Sequence, residues 1–196
     1  MEIKIAIGLP TNRGVKTLTA QSLMEMVAGS DLDFHIIVST KGYNTAENRN
    51  YITAQAIKAD CTHLLLLDDD MVYEKGLIER LVAHDKDIVG ATYHVRRLTE
   101  EGINGNVIEY FDEENDMKLL EGNDLFKCKA LGGGLLLLDL KAVMRVEQPY
   151  FWYKVLKVGM VEMSNDWWFC EKAREAGLDV WCDPSIHLKH IGEYEY

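Results

Sequence analysis

The chain has 196 residues, 47% of them apolar and 27% charged, enough for one globular domain whose core needs neither disulfides nor a structural metal. Lys and Arg number 21 against 32 Asp and Glu, a net charge of −11 that argues against a nucleic-acid partner, whose phosphates would be repelled. The longest apolar run falls far short of the roughly 18 residues of a membrane span, so no transmembrane segment is expected.

Ile3, Ile5 and Ile7 make a first strand, stopped by Gly8-Leu9-Pro10, and Thr11-Asn12-Arg13-Gly14 is a polar loop suited to a base or ribose. Thr17–Ala28 is predicted as a helix with Leu18, Met24 and Val27 on its apolar face. Phe34–Ser39 is a second strand, and Asn44–Lys58 a helix carrying Asn48-Arg49-Asn50 in its first half. Leu64–Leu67 is a strand buried on both faces, Lys75–Ala83 a third helix, and Asp87–Tyr93 a fourth strand. This alternation predicts an α/β fold, a Rossmann-like and mostly parallel sheet with helices on both faces. The rhythm breaks at Arg96–Lys129, read as hairpins or loops at the sheet edge. Ala130–Leu138 is a strand entered by three glycines, Asp139–Val146 a short helix, and Pro149–Lys154 an aromatic loop. Asn165–Ala176 is the last helix, capped by Gly177, followed by a short strand at Leu178–Cys182 and a tail holding His187 and His190. No linker composition interrupts the chain, so one domain is expected. Met1–Leu9 has no signal-peptide pattern, and Cys61, Cys128, Cys170 and Cys182 form no CxxC pair; both point to a cytoplasmic protein with reduced thiols.

The sharpest chemical signal is THLLLLDDDMVY, Thr62–Tyr73. An apolar strand ends abruptly in Asp68, Asp69 and Asp70, at the sheet edge where α/β proteins bind ligands. On an extended chain Asp68 and Asp70 point to one side, and such a pair repels unless a cation lies between. The alternatives are a solvated acidic turn and a divalent-metal site for a phosphate-bearing ligand. His187 or His190, folded back from the tail, would complete an oxygen and nitrogen set suited to Mn²⁺ or Mg²⁺. Asp166 opens the last helix, as a cap favoured by the helix dipole or as a general base in a cleft beside Trp167 and Trp168. Arg49 is the basic residue placed near a diphosphate, while His94, Arg96 and Arg97 form a basic patch after the fourth strand.

Assembled in order, these pieces resemble the GT-A nucleotide-sugar glycosyltransferases, of the small bacterial and phage type and similar to family 2. Ile5–Thr11, Asn48-Arg49-Asn50, LLLLDDDMVY, Gly132–Asp139 and SNDWWFCEKAREAGLDVWCDPSIHLKHIG carry the likeness; Arg96–Lys129 and Val146–Val161 have no counterpart. The resemblance makes 1–95 the nucleotide-binding half and 96–196 the acceptor-side and closing half, and implies that Pro10, Thr11, Asn12, Arg49, Asp68 and Asp69 surround a nucleoside diphosphate sugar. It implies a metal, Mn²⁺ or Mg²⁺, on Asp68, Asp70 and His190, the last matching better than His187. It makes Asp166 the base that deprotonates an acceptor hydroxyl, with Asn165 standing where the family has an acid. A metal-dependent nucleotidyltransferase and a non-catalytic nucleotide-binding module are the alternative classes.

Overall fold

The computed structural model describes residues 2–40, 42–95, 98–99, 102–103, 105–109 and 117–192, without the side chains of 98–99, 102–103 and His187. The expected basic pair Arg96 and Arg97, part of the 96–129 hairpin region and the end of the tail lie outside these residues.

Five elements open the chain as expected: β1 (Lys4–Pro10), α1 (Thr17–Ala28), β2 (Asp33–Ser39), α2 (Thr45–Lys58) and β3 (His63–Leu67). Then come β4 (Met71–Val72), α3 (Leu77–Ala83), β5 (Ile88–Tyr93), β6 (Leu98–Thr99), β7 (Gly102–Ile103), β8 (Val107–Glu109) and β9 (Met117–Lys118). The remainder is β10 (Phe126–Leu131), β11 (Leu135–Asp139), α4 (Leu140–Val143), β12 (Lys154–Val155), β13 (Val161–Met163), α5 (Asn165–Glu175) and β14 (Val180–His190). The main sheet runs β2-β1-β3-β11-β5-β14-β10-β8-β9, with β4 attached to β14. β2, β1 and β3 pair in parallel, as do β5 and β14, while β11 enters antiparallel between β3 and β5.

At the centre two leucine runs face each other in register, Leu64 opposite Leu138 through Leu67 opposite Leu135. Side-chain alternation divides them between two cores. Leu64 and Leu66 pack with α2 and α5 through Ile52, Ala56, Phe169 and Ala173. Leu65 and Leu67 pack with α1 and α3 through Leu23, Met26, Ile78 and Leu81. Such a sheet, covered on both faces, is the α/β fold the alternating elements predict.

Four local readings change. β1 runs on through Gly8 to Pro10, because it pairs on both sides; a side chain at Gly8 would collide with Ile52 of α2. Leu18 and Met24 are exposed, and α1 turns Thr19, Ser22, Leu23 and Met26 inward instead. Gly132–Gly134 does not open one strand but turns the chain from β10 into β11. The strand predicted to end at Cys182 continues to His190, because after an irregularity between Asp183 and His187 it resumes pairing with β5 and then meets β4.

The bend in β14 is tied to the end of α3. Buried Asp183 accepts hydrogen bonds from the Ser185 N–H and hydroxyl, and lies 2.9 Å from His84 Nε2 and 3.5 Å from Arg80. Burial pushes the Asp183 carboxyl up, but the bonds from Ser185 and His84, with Arg80, outweigh it and hold the group below the usual carboxylate range. A depressed folded value means the contribution is present above the unfolded value of about 4 and is lost as pH falls through the folded one. Urea midpoints measured from pH 6 to pH 3 should therefore fall, and Asp183→Asn should be less stable at pH 6 with a flatter acid limb.

Candidate functional site

The site forms where the carboxyl end of β3, the glycine turn, the start of α5 and the end of β14 meet. Its foundation is Arg49, only 2% exposed although it carries a fixed charge. Its guanidinium donates to Asn165 Oδ1 at 2.6 Å and Asp68 Oδ1 at 2.9 Å, and lies 4.0 Å from Asp166 Oδ2. Asn165 thus gives Arg49 a neutral acceptor between two carboxylates. Gly133 lies against the guanidinium, and a methyl there would overlap it. Burial lowers the Arg49 pKa, but Asp68 and Asp166 outweigh it and raise the group above its usual value. The Asp68 carboxyl is also raised, first by burial and then by Asp166 and Asp70, with Arg49 opposing.

The neighbours of Arg49 extend this frame, because successive residues on a helix point about 100° apart. Asn48 donates to Asn12 Oδ1 at 3.0 Å and accepts from Ser39 and Gly42, which pins the loop after β1. Asn50 exchanges two hydrogen bonds with the Phe151 backbone and so pins the aromatic loop. Arg49 is a buried brace under the carboxylates, paired with Asp68 and Asn165.

The strand ends at Leu67, so simple alternation does not continue through the aspartates. Asp68 turns toward Arg49, whereas Asp70 turns toward His190, with Oδ1 3.3 Å from Nε2. Pairing of Met71 with His190, and an Ile191 N–H bond to the Asp70 carbonyl, hold these two side chains together. His190 Nδ1 lies 3.0 Å from the His94 carbonyl. A carbonyl can only accept, so Nδ1 carries hydrogen; in a neutral ring Nε2 would then turn a lone pair toward the carboxylate, an arrangement that needs a cation between them, and in an imidazolium it would donate to it. The neutral-ring arrangement fits a divalent cation: neighbouring ligands of an octahedral ion at about 2.2 Å stand roughly 3.1 Å apart, and metal-bound histidines bond a carbonyl through the other nitrogen. Among the described residues no group of three or more His, Cys, Asp or Glu is gathered for a metal. The pair would need ligand oxygens or water to complete a shell.

Asp166 is fixed on three sides. Its Oδ2 accepts from the Gly133 N–H at 2.8 Å, and its Oδ1 from the Trp167 N–H at 3.0 Å and the Ser164 hydroxyl. Pro10 ends β1, and buried Thr11 caps the turn by accepting from the Gly14 N–H at 2.9 Å. The Asp69 carbonyl accepts from the Lys16 N–H at 2.9 Å, which ties this loop to the acidic turn.

Two tyrosines were not foreseen as part of the site. Tyr73 donates from its hydroxyl to the carbonyls of Asp68 at 2.8 Å and Gly134 at 3.1 Å. The Tyr93 hydroxyl accepts from the Gly134 N–H at 2.9 Å. Burial raises both phenols, so they stay neutral and bond the turn that carries Asp68 to the glycine turn behind Asp166. The nearness of Tyr73 to the aspartates and of Tyr93 to a strand end was the only signal for either.

No protein-family profile matches the chain, and no curated protein sequence does. Solved structures do. Crystal structures of A197 from STIV and of GalNAc-T7 with UDP, GalNAc and Mn²⁺ each superpose with a TM-score of 0.62, at 14% and 13% identity. The first likeness covers 99% of this chain and 98% of A197; the second covers 99% of this chain but 44% of GalNAc-T7. The chain thus spans less than half of the GalNAc-T7 structure. At these identities the likeness concerns the fold, which is the GT-A type.

Replacing Arg49 by Met should lower folding stability by about 3–5 kcal/mol, because carboxylates then stay buried without their counter-charge. Arg49→Lys should recover only part, since one ammonium cannot reproduce the planar fork that meets Asp68 and Asn165. Urea denaturation at unchanged m-value checks both, and wild-type stability in Arg49→Met would remove the brace from this account.

Proposed function

We propose that the protein transfers a sugar from a nucleoside diphosphate sugar to an acceptor hydroxyl. The observation that carries the reading is the pairing of Asp70 and His190 just after β3, in a GT-A fold where Arg49 joins the neighbouring Asp68 to Asp166 at the start of α5. The GalNAc-T7 neighbour, with UDP, GalNAc and Mn²⁺ in its crystal structure, supports a nucleotide sugar and a metal.

In this reading Pro10, Thr11 and Asn12 border the nucleotide, and Asp68 and Asp69 the ribose and diphosphate. Asp70 and His190 would hold Mn²⁺ or Mg²⁺, which when bound supplies Lewis-acid compensation for the charge growing on the leaving diphosphate. Arg49 orients Asp68 and Asp166 from below. Asp166, held by the Gly133 and Trp167 amides, takes the proton of the acceptor hydroxyl as its oxygen bonds to the anomeric carbon and the bond to the diphosphate breaks. Such base assistance contributes about 10²–10⁴-fold. Inversion at the anomeric carbon follows from this single displacement. The loop Tyr150–Tyr153 borders the acceptor side.

Thermal melting with a panel of nucleoside diphosphates, with and without Mn²⁺, tests the donor site. At 100 times Kd one of them should raise the midpoint by roughly 5–10 °C, and EDTA or Asp70→Ala should abolish the rise. No shift with any nucleotide would sink the reading. With the matching sugar donor, Asp166→Asn should lower kcat about 10²–10⁴-fold while keeping the nucleotide-induced shift.

A further inference from the structure

The hydrogen bonds between the loop after β1 and the start of α2 run in one direction only. The Gly42 N–H lies 2.8 Å from the side-chain amide of Asn48, and a backbone N–H can only donate. The Asn48 atom that meets it is therefore the oxygen, which also accepts from the Ser39 hydroxyl at 2.8 Å. Both lone pairs of that oxygen are then engaged. Asn48 Nδ2 must face Asn12, and an amide nitrogen needs an acceptor, so the Asn12 atom 3.0 Å away is its oxygen. The partners alone decide how both amides are turned.

The surroundings keep this relay from turning over. Asn48 and Ser39 are 0% and 1% exposed. A capping box holds the first turn of α2, where Asn44 accepts from the Glu47 N–H at 3.0 Å and Glu47 accepts from the Tyr43 N–H at 2.9 Å. The Thr11 N–H bonds to the Ser39 carbonyl at 3.0 Å, which carries the pairing of β1 with β2 up to the residue before Asn12. Asn12 itself is exposed, and its Nδ2 meets no protein acceptor among the described residues. The open end of the relay is thus a donor.

In the proposed function the diphosphate lies by Asp70 and His190 after β3, and Asn12 borders the nucleotide. β1 stands between β3 and β2 in the sheet, so the path from the end of β3 to the end of β2 is two strand spacings, about 10 Å. Asn12, tied through Asn48 to Ser39 at the end of β2, lies toward the far side of that path and meets the outer edge of the base. That edge carries an oxygen in uracil and guanine and an amino group in cytosine and adenine. An asparagine with both ends open can pair with adenine through its oxygen and its nitrogen together. Here the oxygen is turned to Asn48.

We infer that Asn12, oriented by Asn48, selects sugar donors whose base carries a keto oxygen on its outer edge. Asn12 Nδ2 donates to that oxygen; opposite an amino group two donors face each other and neither is paired. Asn12 is then the specificity-determining residue, and Asn48 a positioning residue that acts through it. The inference rests on the nucleotide-sugar reading of the site.

Isothermal titration calorimetry on the full chain with Mn²⁺ tests it on pairs matched in ring size, UDP with CDP and IDP with ADP. In the pair that binds, the keto member should bind about tenfold tighter or more, and which pair binds tells a pyrimidine donor from a purine one. Asn12→Asp keeps an oxygen toward Asn48 and turns a second acceptor outward, so the ratio should fall to about one or reverse. The added charge acts on both members of a pair alike and cancels in that ratio. Because Asn12 is exposed, the variant should melt as the wild type does. Asn48→Asp keeps the bonds from Gly42 and Ser39 but offers Asn12 an acceptor, so the Asn12 amide turns over and the ratio should reverse with Asn12 itself unchanged. Equal binding of the two members by the wild type, tighter binding of the amino member, or an unchanged ratio in either variant would overturn the inference. Binding without base preference removes only the role of Asn12 and leaves the donor site standing, whereas failure of every nucleotide to bind removes the transferase reading and this inference with it.

Discussion

A guanidinium closed off from water must bring its counter-charges with it, and that constraint shapes this molecule around Arg49. Leaving such a cation unpaired inside a protein costs several kcal/mol, so the chain that buries it must also deliver acceptors. Asp68 comes from the end of β3, and Asn165 and Asp166 from the start of α5. Gly133 supplies the space, since any side chain there would overlap the guanidinium. Asn48 and Asn50, one step to either side, fasten the loop after β1 and the aromatic loop. One turn of α2 thereby fixes the loop after β1, the aromatic loop and the acids at the ends of β3 and α5.

The carboxylates are held in separate ways by this arrangement. Asp68 is neutralised from beneath by Arg49, and Asp70 is aimed at an imidazole whose other nitrogen meets a backbone carbonyl. Asp166 is clamped by two amides and a hydroxyl. Tyr73 and Tyr93, kept neutral by burial, join the acidic turn to the glycine turn so that these groups share one frame. The contrast with the hairpin at 154–162 is physical. The Arg49 brace is buried, whereas the hairpin shows apolar side chains to solvent and forms a two-stranded sheet of its own.

The features legible in the sequence were those set by near neighbours. Leu64–Leu67 followed by three aspartates defined a doubly covered strand and its acidic end, and α1, α2, α3 and α5 fell close to their expected limits. Gly177 caps α5 with φ +78°, as its position after the last periodic residue required. Less legible was which side of a helix faces the core. The apolar Leu18 and Met24 lie outside while Thr19 and Ser22 lie inside, because the Ser22 hydroxyl accepts from the Tyr73 N–H where the sheet meets α1.

By itself the sequence determined the chemistry available and the segments that carry it: an acidic strand end, an Asn-Arg-Asn turn, a carboxylate at a helix start and a histidine near the close of the chain. Only the tertiary structure decided how they combine. It slid β11 antiparallel between β3 and β5, extended β14 until His190 met Asp70, and turned Arg49 toward acids rather than solvent. The reason is separation along the chain. Periodicity and capping act over a few residues, but Arg49 meets Asp68 across 19 positions and Asn165 across 116, and contacts of that span are chosen only when the sheet closes.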